Sequence, residues 1–153
     1  MKRIIGSAAA VLGLAAGSVL VGTPAQASAA CDDFYNDNAK SGYVYAWNLT
    51  NCSGLLGGDV DDDYDWGDSS GSFQGSDTNN AESVMNKGVS DGYSIVRFSN
   101  YTAYDTAHGY GCLSVGEKYA DTLWDDRMSD GSPAHNSISS HKWVSGGCNK
   151  WFK

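Results

Sequence analysis

The stretch GYVYAWN, residues 42–48, shows the clearest periodicity in the chain. Its aromatic residues Tyr43, Tyr45 and Trp47 are spaced two apart, so they project from one face of an extended backbone. Such alternation, with aromatic and β-branched residues and a glycine at the start, is typical of a half-buried β-strand. The segment therefore predicts a strand with one aromatic face.

A second stretch with the same Gly-Tyr opening, GYSIVRFSN, occupies residues 92–100. Each opening is followed by an Asn/Ser turn, NNAESV at 79–84 and HNSISS at 135–140, which indicates two copies of one supersecondary unit, about 42–88 and 92–144. Further short strands, separated by Gly, Ser, Asn and Asp, are predicted at 53–56, 84–86, 112–115 and 139–144. Many short strands with polar turns predict an all-β sandwich or Greek key.

Residues 1–29 have the features of a secretory signal peptide. Lys2 and Arg3 precede an apolar stretch rich in Ala and Gly at 4–21, and AQA at 25–27 and ASA at 27–29 are both suitable cleavage sites. A retained transmembrane anchor would need about 20 strongly apolar residues, and this stretch is shorter and interrupted by glycine. We therefore expect a secreted, extracellular protein with a single domain over residues 30–153.

The charge of that domain restricts its partners. Removing Lys2 and Arg3 from the ten basic residues leaves eight against eighteen acidic ones, a net charge of −10. Such a surface repels phosphates, so nucleic acid and anionic membranes are unsuitable partners. The length fits one domain with a real core, and we expect a monomer.

The four cysteines predict two disulfides, because an even count in an exported chain is typical of a disulfide framework. Three pairings are possible. The pairing Cys31–Cys52 with Cys112–Cys148 is favoured, since each bond closes a local loop within one half of the chain. Zinc is the competing interpretation, but the sequence contains no C-x-x-C.

The chain resembles the βγ-crystallin Greek-key domain over about residues 42–143. The resemblance rests on the aromatic opening strand and on an Asn/Asp-Asn/Asp-x-x-Ser/Thr-Ser turn in each half. The disulfides and the sequence HNSISSHKW after YADTLWDD are similar, more narrowly, to the small secreted metalloproteinase inhibitors built on that fold. Two positions depart from the turn pattern: Val84 replaces its last Ser, and His135 replaces its first Asn/Asp.

The resemblance implies a double Greek-key sandwich, and it implies a secreted protease of the thermolysin-like metalloproteinase class as the partner. A rigid, disulfide-braced segment would enter the protease cleft, and rigidity helps because it lowers the ordering cost of binding. The candidate segment is GYGCLSV at 109–115, where Cys112 is pinned and Leu113 is the bulky aliphatic residue that such enzymes favour after the scissile bond. The alternative is an ordinary strand with Leu113 in the core.

The resemblance also implies a place for calcium at the two Asn/Ser turns. Matching the family motif residue by residue selects Asn80 and Ser83 in the first turn and Asn136 and Ser139 in the second. These ligands are neutral, and calcium affinity rises with the number of carboxylates, so binding is expected to be weak or absent. No cofactor is required. The alternative is that the serines bond to backbone and hold the turns.

The sequence offers little for catalysis, and we expect a protein that is not an enzyme. His135 and His141 lie close to several serines, but a Ser/His pair needs an orienting acid and an oxyanion hole, and no Gly-x-Ser-x-Gly frame is present. Histidines on the surface beside turn serines are the simpler interpretation.

The acidic run DVDDDYDWGD, residues 59–68, holds six aspartates in ten residues. The EF-hand spacing fails in every register. Clustered like charges favour a solvated chain, so an exposed loop is predicted, with Tyr64 and Trp66 as surface anchors for a loosely held cation or a basic partner. Trp124, also beside Asp, is predicted to lie on the surface.

Two further functions stay open: a calcium-binding or structural crystallin domain, and an antimicrobial or cell-wall-binding module.

Overall fold

A computed structural model describes residues 28–153 of the chain. The predicted signal peptide lies outside these residues, apart from its last two. The described part is all-β, with two antiparallel sheets and a short helical segment at its start. Its strands are β1 (Tyr43–Leu49), β2 (Ser53–Asp59), β3 (Ser83–Lys87), β4 (Ile95–Ser99), β5 (Tyr110–Ser114), β6 (Tyr119–Ala120) and β7 (Ser140–Val144).

The sheet order is that of two interlocked Greek keys. One sheet runs β2-β1-β3-β6 and the other β5-β4-β7, so in each repeat the last strand returns to lie beside the first. The third strand of each repeat crosses to the other sheet: β6 pairs with β3, and Asp63 forms an antiparallel bridge with His141 of β7. This confirms the predicted all-β double Greek-key sandwich.

The hydrophobic core lies between the two sheets, where the inward faces of their strands meet. A second cluster covers the outer face of the first sheet, under α1 (Ala29–Asp33) and the π-helical turn Phe34–Asn38. There the Phe34 ring meets Tyr45 and Trp47 edge-on, at centroid distances of 5.1 and 5.0 Å. Edge-to-face contacts of this kind add to the stabilisation from apolar burial. The aromatic face predicted for residues 42–48 therefore packs against the N-terminal segment. The main core comprises Val44, Ala46, Trp66, Phe73, Ala81, Val84, Val96, Phe98, Leu113, Ala120, Leu123, Met128, Ala134, Ile138 and Phe152.

All four cysteines are paired, as Cys31–Cys52 and Cys112–Cys148, which confirms the favoured pairing. The first bond ties the N-terminal helix to the β1–β2 turn, and the second ties β5 to the C-terminal segment. Two disulfides suggest an oxidising, extracellular environment. Within residues 28–153, no helix is long and apolar enough to cross a membrane.

The acidic run is only partly the solvated loop that was predicted. Its outer residues are exposed, but Asp63 is buried in the sheet bridge and Trp66 is fully buried. The Trp66 ring stacks on Phe73 at 4.1 Å, and its backbone N–H donates to the Ser139 carbonyl. The prediction of Trp66 as a surface anchor is wrong, because the crossing strand of the Greek key places it between the sheets.

A serine side chain holds each of the two Asn/Ser turns in the same way, and in the first turn this serine is Ser83. Its hydroxyl donates to the Leu49 carbonyl at 2.8 Å and accepts from the Cys52 N–H at 3.2 Å. One side chain thus joins the start of β3 to both ends of the β1–β2 turn. This is the backbone-holding role that was weighed against calcium binding for Ser83.

In the second repeat, the same pair of bonds is made by Ser140. Its hydroxyl donates to the Tyr101 carbonyl at 2.7 Å and accepts from the Tyr104 N–H at 3.2 Å. Ser140, rather than Ser139, is therefore the structural counterpart of Ser83. The motif matched Ser83 with Ser139, whereas the structure matches it with Ser140, one residue later. The sequence left this open because Ser139 and Ser140 both fit serine positions of the motif.

Candidate functional site

The segment predicted to enter a protease cleft is internal. Residues 110–114 form β5, and both Cys112 and Leu113 are fully buried. Leu113 pairs with Val96 of β4 and packs in the main core. A side chain in that position contacts no partner unless the sheet opens, so in this fold Leu113 is an ordinary core residue of a strand.

A different disulfide carries an exposed segment. Residues 49–55, which comprise the last residue of β1, the turn and the first three residues of β2, form what we call the braced hairpin. Leu49 and Leu55 are each 53% exposed, while Cys52 between them is bonded to Cys31. The sequence held a signal for this site, namely two leucines placed three residues on either side of a cysteine in a polar turn.

Several independent bonds hold the backbone of the braced hairpin. Asn51 and Cys52 both have left-handed φ values, 58° and 53°. The Asn51 N–H donates to the Asp121 carbonyl at 2.7 Å, in addition to the two bonds from Ser83 and the disulfide. Gly54 has φ of 68°, and a Cβ there would clash with Asn48 Oδ1, so this position favours glycine. The turn is therefore fixed in one conformation.

The hairpin also presents a sheet edge. β2 is the first strand of its sheet, and within the part of the chain that the structure describes no strand pairs with its outer side. A β-bulge lies opposite Ala46 and Trp47, where Leu55 pairs with Trp47 and Gly57 with Ala46. An exposed edge of this kind can accept a further extended strand.

The four calcium candidates lie at neighbouring turns. The turns bond to each other through reciprocal backbone contacts, Asn79 N–H to the Ile138 carbonyl and Asn136 N–H to the Ala81 carbonyl. The hydroxyls of both serines already form hydrogen bonds. Ser83 bonds to backbone, and Ser139 Oγ donates to Asn79 Oδ1 at 3.1 Å. No group of three or more His, Cys, Asp or Glu side chains in residues 28–153 is arranged to hold a metal.

For the calcium candidates Asn80 and Asn136, the structure thus shows adjacent turns with neutral side chains. Weak or absent calcium binding stays a prediction.

The three histidines have different surroundings. His108 is exposed and contacts Asp105 at 2.7 Å, and His135 lies half-buried under the exposed Trp124 ring at 3.7 Å. His141 is fully buried, so the prediction of a surface histidine is wrong there. It lies on β7, whose side chains at alternate positions face the core.

Both ring nitrogens of His141 are used. Nδ1 accepts from the Trp66 indole N–H at 2.9 Å, so Nε2 carries the proton and donates to the Asp61 carbonyl at 2.9 Å. Burial lowers the pKa of His141 to about 4. The neutral imidazole is therefore a structural link between the acidic run and the core.

Asp63, which bridges to His141 through backbone, has the opposite shift. Burial raises its pKa to about 6, and the nearby charges of Asp59 and Asp68 add to the effect. Its Oδ1 accepts from the Asp65 N–H at 3.0 Å, and Oδ2 has no hydrogen-bond partner in the described residues. The carboxyl thus takes up a proton more readily in the folded chain than in the unfolded one.

The two pKa shifts have opposite effects on how the stability of the protein depends on pH. Between pH 6.5 and 4 the unfolded chain binds more protons at His141, so stability falls as pH is lowered. Between pH 3.8 and 6 the folded chain binds more protons at Asp63, so stability rises as pH is lowered. The two contributions overlap and largely cancel in the native protein.

We therefore expect Asp63→Asn to make the protein acid-sensitive. With the opposing carboxyl removed, the melting temperature should fall by several degrees more than that of the native chain between pH 6.5 and 4.5. Calorimetry at half-unit pH steps measures this, with Asp61→Asn, in an exposed position of the same run, as the control. A pH profile of Asp63→Asn parallel to that of the native chain would refute the assignment.

Comparison with known proteins gives one structural likeness. A solved structure described as "Evolution of the eye lens beta-gamma-crystallin domain fold" is similar to this chain with a TM-score of 0.47 and 17% sequence identity, over 68% of this chain and 86% of that one. No family model matches the chain, and no curated protein matches it either. The likeness is one of fold and carries no activity or partner to this chain.

Proposed function

We propose that the protein is a secreted inhibitor of an extracellular peptidase, of the thermolysin-like metalloproteinase class, and that the braced hairpin is its contact surface. The observation that carries the proposal is the position of Leu55. This bulky aliphatic side chain is exposed on an edge strand, three residues from a disulfide and next to a turn with a fixed backbone. Leu55 thus takes the role predicted for the buried Leu113, namely to fill the peptidase pocket that receives the residue after the scissile bond.

The geometry suits a peptidase cleft because peptide substrates bind there as extended strands. The outer edge of β2 offers unpaired backbone groups for such pairing, and Leu55 offers the side chain for a pocket. Because the disulfide and the bonds of Ser83 hold the backbone in advance, little conformational entropy is lost on binding. A rigid segment is also expected to dissociate from the cleft more slowly than a flexible substrate does.

The charge distribution supports the same surface. Residues 48–58, NLTNCSGLLGG, contain no charged side chain, although the chain as a whole carries a charge of −8. Burying this segment in a cleft therefore costs no ion desolvation. The acidic run begins directly afterwards at Asp59, so a positively charged rim on the peptidase would be favourable.

We expect Leu55→Asp to raise the inhibition constant against a thermolysin-like peptidase by about 30-fold or more. A central anchor side chain in an interface typically contributes at least about 2 kcal/mol, and aspartate would add the cost of desolvating a charge. The control is Val89→Asp, which places the same charge at another exposed apolar position. The measurement is steady-state inhibition, run in parallel against a serine peptidase to test the enzyme class.

Both variants should keep the native melting temperature within about a degree, since both positions are exposed. Equal inhibition by the two variants would exclude Leu55 as the anchor. A native protein that inhibits no metallopeptidase at micromolar concentration would exclude the function itself.

A further inference from the structure

Ser28 makes a specific contact with a carboxylate far along the chain. The Ser28 backbone nitrogen lies 3.2 Å from Asp121 Oδ2. The Ser28 carbonyl accepts from the Asp32 N–H at 3.0 Å, which is the first hydrogen bond of α1. Ser28 thus joins the start of α1 to a carboxylate 93 positions along the chain.

The sequence places a processing site at this same point. AQA at 25–27 has the small residues that a leader peptidase requires one and three positions before the bond it cuts. We propose that the mature chain begins at Ser28 and that its α-ammonium group is held by the Asp121 carboxylate. This proposal does not depend on the inhibitory function.

The step is hydrolysis of the Ala27–Ser28 peptide bond. Water supplies a hydroxyl to the Ala27 carbonyl carbon and a hydrogen to the Ser28 nitrogen as the C–N bond breaks. At neutral pH the products are an Ala27 carboxylate on the leader and an ammonium on Ser28. The contact that an amide N–H makes with Asp121 then becomes an ion pair between a cation and a carboxylate.

The surroundings favour a cation there. Asp121 lines a groove of about 640 Å³ whose charged residues are mostly acidic. A positive charge at the start of a helix is unfavourable for the helix dipole, so a mature terminus at this position needs a carboxylate beside it. The charged side chains that line the groove are Asp32, Glu117, Lys118, Asp121, Asp125 and Lys153, with Lys118 Nζ already 3.8 Å from Asp32 Oδ1.

The alternative cut, after ASA at 27–29, fits the structure less well. It would remove Ser28 and with it both the contact to Asp121 and the carbonyl that accepts from Asp32. The first turn of α1 would be lost just before Cys31, whose disulfide anchors the segment. Asp121 also accepts from Asn51 through its backbone carbonyl, so the Ser28 contact links the terminus to the hairpin turn.

The full chain, leader included, expressed in an exporting bacterial host tests the cleavage. Intact mass and N-terminal sequencing of the exported protein should give Ser28-Ala29-Ala30 as the start. Ala29→Gln, which alters only the second motif, should leave this start unchanged, whereas Ala25→Gln should abolish it. A native start at Ala30 or Cys31 would overturn the proposal.

The ion pair is tested separately by coupling two changes. In the chain that starts at Ser28, Asp121→Asn should lower the melting temperature by about 2–4 °C at low salt. In a chain with one extra alanine before Ser28, which moves the ammonium away, the loss should be at most half as large. Asp125→Asn, in the same groove, should show no such difference. Equal losses from Asp121→Asn in both chains would overturn the ion pair.

Discussion

Replacing Trp66 with alanine should lower the free energy of unfolding by about 3–5 kcal/mol. The indole is fully buried, stacks on Phe73 at 4.1 Å and meets Phe98 edge-on at 6.4 Å. Its N–H also donates to His141 Nδ1, and removing that donor leaves a buried acceptor without a partner. The substitution therefore combines a large cavity with an unsatisfied polar atom.

The matched control is Trp124→Ala. Trp124, like Trp66, is next to an aspartate in the sequence, yet it is 53% exposed, and its ring stacks on that of His135 at 3.7 Å. Its removal should cost about 1 kcal/mol or less. Urea unfolding with a common m-value measures both losses. Two similar, small losses would mean that the acidic run is the solvated loop that its composition suggests.

The strands were predictable because their signal is local. Alternating aromatic and apolar residues within seven to nine positions indicated β1 and β4, and the turn residues between them limited the length of each element. The disulfide pairing followed from preferring the two bonds that close local loops within each half of the chain. The Greek-key arrangement followed from the repeat, because two copies of one unit bury their faces against each other.

The burial of Trp66 and His141 could not be predicted from their neighbours. Both positions have polar or acidic flanking residues, and what buries them is the crossing of a short strand to the opposite sheet. That contact joins residues about eighty positions apart and leaves no periodic signal in a stretch of ten residues. Six clustered aspartates indicated solvent, and tertiary packing placed two members of the run inside.

The choice between two leucines was likewise a matter of three-dimensional structure. Leu113 and Leu55 both follow a cysteine within three residues, and both lie on strands at the edge of a sheet. The side chain of Leu113 faces the other sheet, whereas that of Leu55 lies half in solvent. A register difference of one residue reverses the face of a side chain, and sequence alone does not set that register for such short strands.

The hairpin disulfide should matter more for inhibition than the other disulfide does. Removing either bond, by serine at both of its cysteines, is expected to cost about 3–4 kcal/mol of stability, since the closed loops have similar lengths. Only the Cys31–Cys52 bond braces the hairpin. Without it, the backbone between Leu49 and Leu55 loses one of its constraints, and binding must supply more of the ordering.

The decisive measurement compares the two double-serine variants, Cys31→Ser with Cys52→Ser and Cys112→Ser with Cys148→Ser, against one thermolysin-like peptidase. It is made at a temperature where melting curves show both variants folded. We predict that loss of the first bond raises the inhibition constant at least tenfold, about 1.4 kcal/mol, while loss of the second changes it less than threefold. Equal effects of the two variants, or a larger effect from the second, would contradict the braced hairpin as the inhibitory surface.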